Sequence, residues 1–139
     1  MPPPLELLDA AFELGVRTLD TARGYTGAEK SLGKWIHSRG NRDQLVILTK
    51  CCHPGPFGKK RVSAEWMKKE LDRSLRDLQT DYVDILLLHR DDTDVEVAEL
   101  VETFNELKAQ GMQNNCWRKL KILWASPIPP STPLTSANA

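Results

Sequence analysis

Three short aliphatic runs in this 139-residue chain each end in an ionisable side chain. Val16-Arg17-Thr18-Leu19 is followed by Asp20, Leu45-Val46-Ile47-Leu48-Thr49 by Lys50, and Ile85-Leu86-Leu87-Leu88 by His89. A further polar side chain, Tyr25, stands five residues past Asp20. Segments of helical period separate the runs. Alternation of this kind with short connections specifies an α/β fold, a parallel sheet with helices outside it. In a parallel barrel successive strands end on one face, so residues distant in sequence converge there. An enzyme is therefore the leading expectation.

The helical segments carry their own punctuation. Leu5, Leu8, Ala11 and Phe12 set a helix over 4–14, stopped by Gly15, and a strand follows over 16–20. Thr26 and Glu29 form a capping-box pair before Ala28, Leu32, Trp35 and Ile36, with an exit at Gly40-Asn41. The second strand is 45–50 and the Pro/Gly-rich stretch 51–62 is a loop. Ser63 is an N-cap, with Val62 and Met67 as a hydrophobic staple, for a helix reaching about residue 79. A strand is expected at 82–88. A second capping-box pair, Thr93 and Glu96, precedes a helix striped by Val97, Leu100, Val101, Phe104 and Leu107 and ending near Gly111. The strands read as continuous apolar runs, as expected when both faces are covered. After Gly111 the period is lost. Residues 120–124 suit a fourth strand, and 127–139, with four prolines, a disordered tail. The expected organisation is a barrel unit over 1–111, a divergent segment over 112–126 and the tail.

Nineteen basic and nineteen acidic residues leave no net charge, against a dedicated nucleic-acid binder. The run Lys59-Lys60-Arg61 reads as a solvated loop. No aliphatic run is long enough to span a bilayer, and the N-terminus does not read as a secretory signal. Of three cysteines, Cys51 and Cys52 are adjacent, which disfavours an ordinary disulfide between them. A reduced, cytoplasmic setting is the simplest reading.

Asp20, Tyr25, Lys50 and His89 make chemical sense together. A phenol titrates near about 10, and a neighbouring ammonium favours its phenolate. A carboxylate holds the ammonium charged and oriented, and a histidine hydrogen-bonds a substrate carbonyl oxygen. These parts polarise a C=O and protonate its oxygen after hydride reaches carbon. None can supply hydride, so a nicotinamide cofactor is implied. Each residue alone has a plainer reading: a turn aspartate, a solvated lysine, a core histidine, a packing tyrosine. Four such coincidences at strand ends are less probable together.

Other motifs are weaker. His89-Arg90-Asp91 has the start of a kinase catalytic loop without its asparagine. Cys51-Cys52-His53 lacks a second pair for zinc. Asp91, Asp92, Asp94 and Glu96 suit a solvated loop before a helix better than a cation site.

The residues also resemble a known family. Leu14-Gly15-Val16-Arg17-Thr18-Leu19-Asp20-Thr21-Ala22, leading to Tyr25 and Glu29…Leu32-Gly33, is similar to the aldo-keto reductase signature. Leu48-Thr49-Lys50 resembles the strand ending in that family's catalytic lysine. The stretch from Leu71-Asp72 to Thr80-Asp81-Tyr82-Val83-Asp84 and His89 resembles the helix and strand ending in its catalytic histidine. The resemblance spans roughly residues 5–111. It implies a (β/α)8 TIM barrel, here partial with three to four βα units, and reduction of an aldehyde or ketone with NADPH. Tyr25 would be the proton donor, Lys50 its partner, Asp20 the partner of Lys50 and a cofactor-binding residue, and His89 the substrate-orienting group. The family uses no Gly-rich dinucleotide fingerprint, and none stands here.

A full barrel needs about 250 residues. The chain starts at what resembles the first barrel helix, and Leu120 to Ser126 matches the family's next strand only loosely. The expectation is an aberrant or truncated C-terminal half, from a gene-model error, frameshift, splice form or pseudogene. Activity would be impaired, because most cofactor contacts lie in the later half. The alternative is a non-catalytic barrel fragment that acts as a binding or interaction module, or has no role; separately, the open barrel edges favour self-association of the isolated chain. A metal-dependent barrel hydrolase using His89 and the acidic loop is a third.

Overall fold

The computed structural model describes residues 4–113; the expected fourth strand at 120–124 and the tail lie outside them. The elements are α1 (Leu5–Glu13), β1 (Thr18–Asp20), α2 (Ala28–Arg39), β2 (Val46–Cys51), α3 (Ala64–Leu78), β3 (Ile85–Leu88) and α4 (Val97–Gln113). The sheet runs β1-β2-β3 and is parallel throughout. It is a partial (β/α) barrel, with a helix returning the chain between successive strands.

One face of the sheet carries the core. Ile47, Thr49, Cys51 and Leu86 are buried beneath Leu32, Trp35, Met67, Leu71, Leu78, Phe104 and Leu107 from the helices. On the other face Val46 is exposed and Leu48, Lys50, Ile85 and Leu87 are only partly buried. Among the described residues this inner face is only partly covered, with Tyr25 over Lys50 at its C-terminal end, so the expectation of strands covered on both sides holds fully for one side only. The alternation was masked because inward and outward positions are both aliphatic.

Close packing of α2 on α3 depends on Gly33. A Cβ there would lie 2.2 Å from the Asp77 carbonyl oxygen and 2.7 Å from the Leu78 carbonyl carbon. Helix propensity alone would make Gly33→Ala stabilising by about 1 kcal/mol. The backbone clash reverses the sign, and we expect a loss of about 1–3 kcal/mol in urea denaturation. A gain would show that the two helices do not meet this closely.

Several boundaries differ from the sequence reading. The capping box at Thr26 and Glu29 does not form: Gly27 occupies the N-cap with φ 76° and no side chain caps α2. Glu29 turns inward instead and is buried, accepting from Thr49 Oγ1 at 2.7 Å and from Arg23 Nη1 at 3.1 Å. A buried hydroxyl and a half-buried guanidinium compete for the carboxylate better than a solvated cap does. Thr93 does not start α4, which begins at Val97. The intervening turn is closed by Val95 N–H to the Asp92 carbonyl at 3.1 Å and Asp94 N–H to Asp92 Oδ1 at 3.1 Å. β3 starts at Ile85, not at 82, because Asp84 is used otherwise. Its carboxylate accepts from Ile47 N–H at 2.9 Å and from Arg42 Nη2 at 2.8 Å, and Arg42 also bonds the Tyr82 carbonyl. The Ser63 cap forms as expected, accepting from the Trp66 N–H at 3.3 Å.

Candidate active site

The ends of β1 and β2 bring Asp20 and Lys50 together. Asp20 pairs in register with Leu48, so Lys50 lies one step further along the same face of the neighbouring strand. The Lys50 ammonium donates to Asp20 Oδ1 and to the Thr21 carbonyl at 3.1 Å. The lysine side chain is 16% exposed and the aspartate 62%. The ammonium is thus the more desolvated partner, and the carboxylate and carbonyl together compensate it. Beyond β1 the ladder continues: Thr21 N–H donates to the Leu48 carbonyl at 2.8 Å and Arg23 N–H to the Lys50 carbonyl at 3.0 Å. These bonds tie the loop bearing Tyr25 to β2.

Tyr25 lies over this pair. The Lys50 Nζ is 5.2 Å from its ring centroid, within reach of a cation–π attraction. The His89 ring meets it edge to face, 5.9 Å between centroids at 81°. His89 follows β3 directly, held by its N–H to the Cys51 carbonyl at 2.7 Å. The structure therefore brings all four sequence-predicted side chains to the C-terminal end of one sheet. Tyr25 also lines a cleft of about 410 Å³ with Arg23, Gly24, Thr26, Glu29 and Lys30.

Burial pushes the His89 pKa below the ordinary imidazole value, and the charges of His53, Lys50 and Arg90 push the same way, with Glu70 opposing. The ring therefore stays neutral to lower pH than a free imidazole. A neutral imidazole keeps one N–H to donate. Its Nδ1 is buried without a hydrogen-bond partner among the described residues.

The Cys51 and Cys52 thiols are both free and buried. A hydrogen bond with Cys52 and burial push Cys51 well up, while the same bond lowers Cys52. Among the described residues no group of three or more His, Cys, Asp or Glu is arranged to hold a metal ion. The acidic loop and the basic run expected to be separately solvated pair with each other: Lys60 Nζ donates to Asp92 Oδ1 at 2.6 Å and to Asp94. Arg61 lies 4.8 Å over the Trp66 ring. No described helix is long and apolar enough to cross a membrane.

Sequence reasoning missed His53, whose ring centroid is 4.5 Å from that of His89 at 73°. The Cys51-Cys52-His53 run suggests only a metal ligand for it. The available signal was its place three residues past Lys50, on the loop that leaves the same strand end.

Known proteins resemble this chain over most of its length. The sequence profile of the aldo/keto reductase family matches residues 3–115. Norsolorinic acid reductase of Emericella nidulans is 36% identical over 115 residues, 76% of this chain and 30% of its own length. An aryl-alcohol dehydrogenase of Pestalotiopsis microspora is 35% identical over 117 residues, with the same shares covered. The holo structure of an aldo-keto reductase from Bacillus halodurans superposes with a TM-score of 0.71 at 34% identity, over 85% of this chain and 40% of that one. The chain spans about 30% of the length of these curated relatives.

Proposed function

The chain belongs to the aldo/keto reductase family, and from that premise we propose that its strand ends form the proton-delivering part of an NADPH-dependent carbonyl reductase. The observation that carries this reading is the contact of Lys50 with both Asp20 and the Tyr25 ring, with His89 against the same tyrosine. The donor set fits the cofactor's chemistry. Asp20 spends Oδ1 on Lys50 yet remains largely exposed, so its carboxylate can also accept from the nicotinamide end. When bound, NADPH supplies the hydride that no side chain here can give.

The remaining steps belong to the chain. His89 donates an N–H to the substrate carbonyl oxygen and orients it. As the carbonyl carbon is reduced, the Tyr25 hydroxyl transfers its proton to that oxygen and an alcohol results. The Lys50 ammonium stabilises the phenolate left behind, and Asp20 keeps the ammonium charged and in place. Because one relative is named for aryl alcohols, an aromatic aldehyde is the first substrate to try. The test uses a barrel-completed chain, with the parts of the Bacillus halodurans reductase on either side of the matched region fused before Pro4 and after Gln113. NADPH consumption that depends on an aromatic aldehyde supports the reading; a folded chimera with none refutes it.

One observation favours a second reading, a non-catalytic module. Among the described residues β1 and β3 each have a free edge and the inner face is open. Such edges favour pairing with another chain. Positioning errors of about 1 Å can cost a hundredfold in rate. The 139-residue chain by itself is therefore expected to give no saturable NADPH binding in the micromolar range by fluorescence titration, and to self-associate in light scattering. Micromolar binding with aldehyde reduction by the monomer would remove this second reading.

A further inference from the structure

We propose that His53 is a positioning residue of the site, wedging the His89 ring in place between itself and Tyr25. This deepens the reductase reading, on which its catalytic consequence rests.

His89 is flanked by two rings, both edge to face: Tyr25 at 5.9 Å and His53 at 4.5 Å. His53 is placed by the backbone on either side of it. Cys52, just before it, adopts φ 61°, a left-handed conformation that a residue with a Cβ rarely takes. That turn is held by the buried Glu70 of α3, which accepts from the Cys52 N–H at 2.6 Å. On the other side His53 Nδ1 lies 2.8 Å from the Pro54 carbonyl oxygen. A carbonyl only accepts, so Nδ1 carries the proton. The imidazole packs so closely on Gly24 that a Cβ there would lie 2.5 Å from its Cδ2. His53 thus touches the loop bearing Tyr25 and the ring of His89 at once.

The groups around His89 are Tyr25 from the β1–α2 loop, Lys50 from β2, His53 after β2, Glu70 from α3 and its neighbour Arg90. His53 contributes bulk that excludes water and, when protonated, a like charge. Both disfavour imidazolium at His89. Removing it therefore moves the His89 titration upward.

The experiment is an NMR pH titration of the full 139-residue chain labelled at its histidine rings. Only three histidines are present, and His37→Asn assigns one of them. His53→Ala should shift the His89 midpoint upward and change its ring shifts at high pH, where all histidines are neutral. His53→Phe, which keeps the edge-to-face packing but not the charge, should shift the midpoint less and leave the high-pH ring shifts nearer the original. A His89 curve unchanged in both variants overturns the proposal. So does an equal response to both, which would mean packing plays no part. Neither readout needs cofactor or substrate, so failure here is distinct from failure of the reductase reading. In the barrel-completed chain, His53→Ala should raise KM for an aldehyde several-fold and His53→Phe restore most of it.

Discussion

Tyr25→Phe in the barrel-completed chain should lower kcat for aldehyde reduction by about 10²–10⁴-fold, the usual worth of a positioned proton donor. The ring would remain. Its edge contact with His89 and its place over the Lys50 ammonium involve the aromatic face, not the hydroxyl. NADPH affinity, read by fluorescence quenching, should then stay within about twofold, because uniform binding is untouched when only a transition-state interaction is lost. The split between kcat and cofactor affinity is the diagnostic. A phenylalanine variant retaining most of its kcat would mean that another group delivers the proton.

Lys50→Met should be nearly as severe, at about 10²–10³-fold in kcat, the cost of losing one preorganised charge at a developing anion. It carries a stability effect of opposite origin. The ammonium is mostly withdrawn from water and held by Asp20 and the Thr21 carbonyl. Methionine removes that desolvation but strands the Thr21 carbonyl, so the net change in stability should be small, within about 1 kcal/mol. A large kcat loss at nearly unchanged stability, measured by urea denaturation, separates a chemical role from a structural one. Asp20→Asn should be milder, because Asp20 is largely exposed and its pairing is screened by water.

Much of this site was legible in the sequence because strand ends are loud signals. An apolar run stopped by one charged residue marks where a parallel strand leaves the core, and three such stops predicted one shared face. Asp20, Lys50 and His89 meet there for that reason, and Tyr25 follows because the ladder continues past β1 through Thr21 and Arg23. Local polar choices were harder to read. Glu29 stands three residues after a threonine, as a capping glutamate should, yet buried Thr49 and half-buried Arg23 claim it. Sequence spacing cannot weigh a partner twenty residues away. Lys60 and the acidic loop were each read as solvated because their pairing spans thirty-two residues or more. His53 was missed for a similar reason: its contact with His89 depends on the left-handed turn at Cys52, which a non-glycine residue does not advertise.

If these side chains serve hydride reduction of a carbonyl, the transferred hydrogen must arrive at carbon from the cofactor. Incubating the folded barrel-completed chain with benzaldehyde and NADPH carrying deuterium at the transferable C4 position, followed by mass spectrometry of the alcohol, tests it most directly. One deuterium is expected on the former carbonyl carbon, with an oxygen proton drawn from solvent-exchangeable groups and loss of product in Tyr25→Phe. Alcohol formed without deuterium at carbon, or formed equally by Tyr25→Phe, would contradict it.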